Sequence, residues 1–365
     1  MLWNSDNGTL KQTLRGHLEP ISSLAFSPDS RSLATAAGRE IKLWDIGKIP
    51  DQVLKKPLDG IQFVVFSRDG LLLASTSRIG SVKIWDTKSG TALHTLEGHT
   101  KTADHAAFSS DGSVLISASF HGETVIIWDV VSGEKLHTLE SPGQVYSVSI
   151  SSDDHHIATA AFNGGIGIWS VSTGLMSRKL KVDEPVDDVK FGPAGKLLAS
   201  ASRDEKVRLW DVEKGAVLHS FEGFAFGVQC LSFSPSGKLL ACGSHEGIVR
   251  VWDIESGRRL QEDRLDGPIF PNAIAFSKNE NFLKTNDGLL LLQGRSNVDQ
   301  SLRSTVSSTQ KWLCRGLSRM LRIPPDYRTR SSGSDTYPAV DTCGQLAALG
   351  HESGQVIFIE ISTSD

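Results

Sequence analysis

The sequence predicts an all-β fold in which small four-stranded antiparallel sheets stack against one another, and three recurrences carry that prediction. Tryptophans at positions 3, 44, 85, 128, 169, 210 and 252 recur every 41 to 43 residues. A second series keeps the same interval: Phe26, Phe66, Phe108, Ile150, Phe191, Phe233 and Phe276, each followed by a small residue and then a turn. A glycine stands five residues after Trp3, Trp85, Trp128, Trp169, Trp210 and Trp252, as a hairpin turn requires. A fixed period of this length marks a repeat architecture.

The elements follow in order within one unit. In the fifth, the β-formers run Val186–Phe191, Leu197–Ala201, Val207–Trp210 and Val217–Phe221. Each run has the length of a strand, and apolar residues often alternate along it. The first turn of a unit reads Pro28-Asp29-Ser30, Arg68-Asp69-Gly70, Ser110-Asp111-Gly112 or Pro235-Ser236-Gly237, residues that tolerate tight backbone geometry. One such sheet cannot bury both faces alone, so the units must cover each other.

With these residues in view, the chain resembles the WD40 repeat family. The signature endings are Trp44-Asp45, Trp85-Asp86, Trp128-Asp129, Trp210-Asp211 and Trp252-Asp253, with Trp169-Ser170 a weak copy, and Gly16-His17 and Gly98-His99 are the matching pairs. The resemblance implies a β-propeller of four-stranded antiparallel blades around a channel. Counting units gives six regular blades, a degenerate seventh from near Pro271, and a C-terminal one ending at Ile361. That makes eight; seven is the alternative if residues 294–335 do not separate two true blades, and a piece of a longer array is a third reading. The last unit lacks its fourth strand, which Leu10–Leu14 could supply, closing the ring and hiding two sheet edges. The whole of 1–365 then forms one domain, with regular repeats over 1–293, a flexible insertion at 294–311 and a degenerate closing segment at 312–361.

In the family a His, a Ser or Thr, an Asp and the Trp can form a hydrogen-bonded chain across a blade. Ser202 and Asp204 stand eight and six residues before Trp210, but no Gly-His pair precedes that blade. The corresponding Asp position is Gly38, Ile79, Asn163 or Glu246 in other units, and the third unit carries an extra residue around His121-Gly122. No unit holds the full set. The expectation is that Trp44, Trp85, Trp128, Trp169, Trp210 and Trp252, with the phenylalanines, hold the blades more than polar networks do.

Composition bounds the function. Apolar residues make up 39% and charged residues 22%, so burial can offset chain entropy. A net charge of −4 gives no general electrostatic reason to bind nucleic acid. The N-terminus lacks the basic and apolar regions of a secretory signal, no run is long enough to span a bilayer, and Asn7-Gly8-Thr9 reads as a turn rather than a used glycosylation sequon. Cys230, Cys242, Cys314 and Cys343 form no CxxC pair. The expectation is a cytoplasmic protein.

No phosphate-binding glycine loop, zinc spacing or nucleophile elbow is present, so no enzyme chemistry, cofactor, metal or small-molecule ligand is indicated. The one dense His/carboxylate cluster, Asp153-Asp154-His155-His156, falls where other units place an Asp-Gly turn and reads as an exposed hairpin. Cys230 and Cys242 fall on neighbouring strands and read as small buried thiols, a redox pair being the rival.

In propellers the loops entering the first strand and the turns before the third strand gather on one rim. Here they carry Arg78, Phe120, His121, Phe162, Arg203, Phe226, His245 and Phe270. Arginines and aromatics are the usual anchors of protein interfaces, so these are the candidate partner-binding residues; the rival reading tucks the aromatics between blades. The expected function is a non-catalytic scaffold or sensor that binds protein partners.

From Gly294 the period fails. Lys311, Arg315, Arg319, Arg322, Arg328 and Arg330 face only Asp326, and Leu313, Leu317, Met320 and Leu321 keep helical spacing. A basic amphipathic helix there could meet a membrane surface or nucleic acid. Against this, Trp312, then Met320–Arg328, then Leu346–His351 and Gly354–Val356, resemble the tail of WD40 arrays in fungal NACHT-type receptors, including vegetative-incompatibility proteins. That resemblance implies that Trp312 and Leu321 lie in closing strands. The NACHT nucleotide loop is not in this chain. A propeller enzyme working in the channel is the remaining alternative, and no convergent set of inner carboxylates or histidines is evident from the sequence.

Overall fold

Through residues 16–292 the computed structural model describes backbone and side chains, apart from 30, 46–53, 55–59, 142, 225–226, 266–273, 278–279, 281–282, 284, 286–289 and 291; beyond these it gives only the backbones of short strands. Every regular element among the described residues is a strand. Six four-stranded antiparallel sheets follow one another, at 21–53, 61–96, 105–140, 145–181, 186–221 and 228–264, each with its strands in chain order.

Burial explains why these sequences make this sheet. The second and third strands are apolar or small at nearly every position and almost wholly buried, as in Leu72–Ser77 and Val82–Asp86. The fourth strands, such as Ala216–Phe221, expose most of their residues. First strands of successive sheets pack side by side. The small residues of the second strands (Ala34, Thr35, Ala36; Ala199, Ser200, Ala201) let neighbouring sheets approach closely.

Trp85, Trp128, Trp169, Trp210 and Trp252 are each inserted into the sheet before their own. Trp85 packs on Ala34, Ile41 and Leu43 of the first sheet, and Trp128 on Ile84 and Leu96 of the second. Trp169 packs on Ile116 and Ile127, and Trp210 on Ala158 and Ile168. Trp252 meets Phe221 with ring centroids 4.7 Å apart. The regular interval in the sequence is thus the interval between successive sheet-to-sheet contacts.

Polar bonding accompanies the packing to a greater extent than the sequence predicts. The indole Nε1 donates to Thr35 from Trp44 (2.8 Å), to Ser75 from Trp85 (2.8 Å), to Ser117 from Trp128 (2.8 Å) and to Thr159 from Trp169 (3.0 Å). In the first sheet His17 Nε2 lies 2.7 Å from Thr35 Oγ1, and in the third His99 Nε2 lies 2.7 Å from Ser117 Oγ, so both Gly-His units build a three-membered chain. The fifth corrects the expected register: Trp210 donates to Ser200, not Ser202, at 2.8 Å. Ser202 Oγ instead donates to the Pro185 carbonyl, and Asp204 pairs with Arg208 at 2.6 Å. Both residues shape the turn at the rim.

Past the sixth sheet, strands 275–276, 282–285 and 288–291 form a three-stranded sheet whose first strand adjoins that of the sixth. At the other end, 340–343, 346–350 and 356–360 combine with 2–3 and 10–12 into a five-stranded sheet that adjoins the first regular one. The sequence places Leu10–Leu14 directly on the C-terminal strand; instead Leu2 and Trp3 lie between them, paired in parallel with Phe358 and Ile359. Leu313–Arg315 pairs antiparallel with Ser318–Leu321, so Leu321 lies in a strand, as the receptor-tail resemblance implies, and not in the alternative amphipathic helix. A short apolar run fits either period, and pairing decided it. Trp312 and the insertion at 294–311 lie outside the described residues.

Candidate protein-binding surface

The surface is built up from one recurrent position, the residue four before the Phe or Ile that ends the first strand. It is Asp104 in the third sheet, Tyr146 in the fourth and Asp187 in the fifth. Alternation leaves the neighbours Ala103, Val145 and Val186 fully buried and turns these three toward the rim. Each supports the turn between the second and third strands of its own sheet or the next. The Phe120 N–H donates to Asp104 Oδ2 at 2.7 Å, and Arg203 Nε donates to both Asp187 oxygens at 3.0 and 3.1 Å.

On this support the rings form a continuous row. Phe120 contacts His121 edge-on at 4.6 Å and Tyr146 at 4.8 Å, and Tyr146 contacts Phe162 at 5.9 Å. The Arg203 guanidinium lies 5.2 Å from the Tyr146 ring and 5.9 Å from that of Phe162. Phe162 remains 47% exposed, and the Arg203 side chain is likewise 47% exposed beside an Asp187 only 13% exposed. Burial pushes the carboxyls of Asp104 and Asp187 above their ordinary value.

Of the rim residues proposed from sequence, the structure therefore brings Phe120, His121, Phe162 and Arg203 together across three consecutive sheets. Arg78 and His245 are exposed turn residues that make no ring or ion contact with this row among the described residues, and Phe226 and Phe270 lie outside those residues. Tyr146 and Asp187 were not singled out by sequence, although each stands four residues before a recurrent marker, Ile150 and Phe191 respectively. That fixed offset is the signal that could have found them.

The other sequence candidates are accounted for by backbone chemistry. Asp153 accepts from Ser151 Oγ and His155 N, while Asp154 (φ 60°) accepts from the Ser110 and Asp111 amides of the preceding sheet at 2.7 and 3.2 Å. Asp154 occupies the left-handed position that glycine fills elsewhere and there ties two turns together. Cys230 and Cys242 are free and buried; Cys230 faces the following three-stranded sheet and Cys242 the preceding fifth sheet. They do not form a redox pair.

Polar residues do converge on inner strands, which the sequence alone did not reveal. Asp188, 3% exposed, accepts from Ser147 Oγ at 2.7 Å and from the Leu231 amide at 2.9 Å, with Lys190 Nζ at 3.4 Å. Both carboxylate oxygens are thus committed to joining three sheets. His105 sits edge-on to Phe63 at 5.6 Å, and burial lowers its pKa to about 4.

Comparison with known proteins agrees with this frame. The family profile described as WD domain, G-beta repeat, matches residues 8–45, 50–86, 90–129 and 215–253. A second, the anaphase-promoting complex subunit 4 WD40 domain, matches 148–225. The chain is 26% identical to Autophagy-related protein 16 of Arabidopsis thaliana over 57% of its own length and 42% of that protein's. It is 25% identical to Nuclear distribution protein nudF of Aspergillus niger over 60% of its length and 55% of the relative's. With Periodic tryptophan protein 2 of Arabidopsis thaliana the identity is 35% over 43% of this chain and 18% of that protein. The chain therefore spans between about a fifth and about a half of these relatives.

Proposed function

Because this chain belongs to the WD40-repeat family, we propose that it is a non-catalytic interaction scaffold or sensor that holds partner proteins on the rim of its third to fifth sheets. The observation that carries the reading is the half-exposed Phe162 and Arg203 in a ring row braced by the partly buried carboxylates of Asp104 and Asp187. Partly exposed aromatics and arginine on rigid support lose little side-chain entropy when covered, which is what anchors of an interface need. We read the sheets as blades of one ring, eight by count, in which the N-terminal strands complete the C-terminal blade, and the tail as kin to those of NACHT-type receptor arrays. We place the protein in the cytoplasm.

The test is affinity capture with quantitative mass spectrometry, using wild type, Phe162→Ala/Arg203→Glu, and a control at the outer-strand residue Leu136. Proteins retained by wild type and the control but lost by at least about tenfold from the rim variant are the expected result, since losing a central anchor costs 2 kcal/mol or more. Equal capture by all three would move the site elsewhere.

A further inference from the structure

Resting on that rim reading, we propose that the segment it receives is cationic: a stretch of a partner protein that sets lysine or arginine beside an apolar side chain. The apolar half follows from Phe162, which is 47% exposed and flanked by Tyr146. The cationic half follows from what surrounds it. Asp183 and Glu184 lie on the loop 182–185, which is fixed between the Phe162 and Arg203 turns by Val182 N donating to Gly164 O (2.9 Å) and Arg203 N donating to Pro185 O (2.9 Å). Glu205, exposed with φ 66°, follows two residues after Arg203. At the other end, Asp104 and Glu123 flank Phe120 and His121.

None of these five carboxylates has an ion-pair partner among the described residues. The one permanently charged cation in the ring row, Arg203, is already committed to Asp187. The surface is therefore an apolar strip edged by the unpaired carboxylates of Asp183, Glu184, Glu205 and Glu123, and bringing up an anion would add like-charge repulsion to desolvation. A lysine or arginine segment meets opposite charge on both sides, and its long alkyl stem covers the rings while the head reaches the edge.

The full chain would be titrated, by fluorescence anisotropy at low and high salt, with three short synthetic peptides. All carry the same leucine and phenylalanine content, set among Lys/Arg, Ser/Gln or Asp/Glu. The Lys/Arg peptide should bind at least about tenfold tighter than the others and lose affinity with salt. Asp183→Lys/Glu184→Lys/Glu205→Lys should reverse that ranking, while Phe162→Ala should weaken the Lys/Arg and Ser/Gln peptides alike; thermal melts confirm that each variant is folded. Failure of the Lys/Arg peptide to bind, equal binding by the acidic peptide, or an unchanged ranking in the triple variant overturns the proposal. If Phe162→Ala/Arg203→Glu still loses its captured partners while the charge reversal has no effect, only the cationic chemistry falls. If neither variant matters, the rim reading falls with it.

Discussion

At the scale of single residues, the hydroxyl opposite each indole is the informative position. Five sheets place Ser or Thr there; the sixth places Cys242, and the buried Trp252 Nε1 has no oxygen partner among the described residues. Cys242→Ser should therefore stabilise the protein by about 1 kcal/mol, the net worth of a neutral hydrogen bond, measured by urea unfolding; a loss of stability would show that the thiol's packing matters more. Trp128, fully inserted into the second sheet, should cost about 3–5 kcal/mol when changed to Ala, and a change under about 1 kcal/mol would remove it from the core. His99 supplies a pH dependence. Burial lowers its pKa from 6.5 to about 4, so as pH falls the unfolded chain is protonated first. Stability is then fully present above pH 6.5 and declines toward pH 4, by up to roughly 3 kcal/mol for this one group. His99→Gln should flatten that decline between pH 7 and pH 5, and an unaltered slope would assign it elsewhere. The tryptophans and their spacing were legible in the sequence, but the hydroxyl that each one bonds was not. The offset from Trp is nine residues for Thr35, eleven for Ser117 and ten for the others, because the turns before the third strands differ in length.

At the scale of elements, the outer strands do more than close their sheets. His94 Nε2 reaches the Val131 carbonyl of the next sheet at 3.1 Å, and His137 reaches that of Ser172 at 3.0 Å. Each ring lies over the glycine of the turn that receives it. A Cβ at Gly133 would stand 2.5 Å from His94 Nδ1, one at Gly174 2.6 Å from His137 Cγ, and one at Gly257 2.8 Å from His219 Nδ1. Gly133, Gly174 and Gly257 are therefore required twice, by their left-handed backbone and by a neighbour's imidazole. Gly174→Ala (φ +65°) should cost about 1–3 kcal/mol, and less in a His137→Ala background. Identical costs in both backgrounds would leave only the backbone argument. Strand boundaries were readable because turn residues bracket each apolar run so regularly, and His94, His137 and His219 recur at equivalent places in outer strands. Their partners lie about 35 residues away in another sheet, and no local pattern encodes that.

At the scale of the molecule, strands 2–3 and 10–12 share one sheet with strands 340–343, 346–350 and 356–360. Residues 2–3 and 10–12 cover the edge of the C-terminal strand, so deleting residues 1–15 should bare that edge. The expected result is a lower melting temperature and concentration-dependent association by light scattering; a monomer with an unchanged melt would make those strands dispensable. The all-β repeat plan was legible because period, turn chemistry and alternation agree. Of the rim, the sequence showed which turns carry aromatics and arginine, but not that Phe120, Phe162 and Arg203 meet through Tyr146, since that meeting depends on three separate repeats. The imidazole-on-glycine contacts bear on how such a chain could be shuffled. A unit cut from one Trp-Asp ending to the next takes its outer histidine with it and leaves behind the glycine that histidine rests on. The smallest graft that keeps the joint whole is staggered, running from the fourth strand of one sheet through the hairpin that follows the third strand of the next. Duplication or exchange of modules in this molecule would have to respect that offset frame rather than the visible sequence repeat.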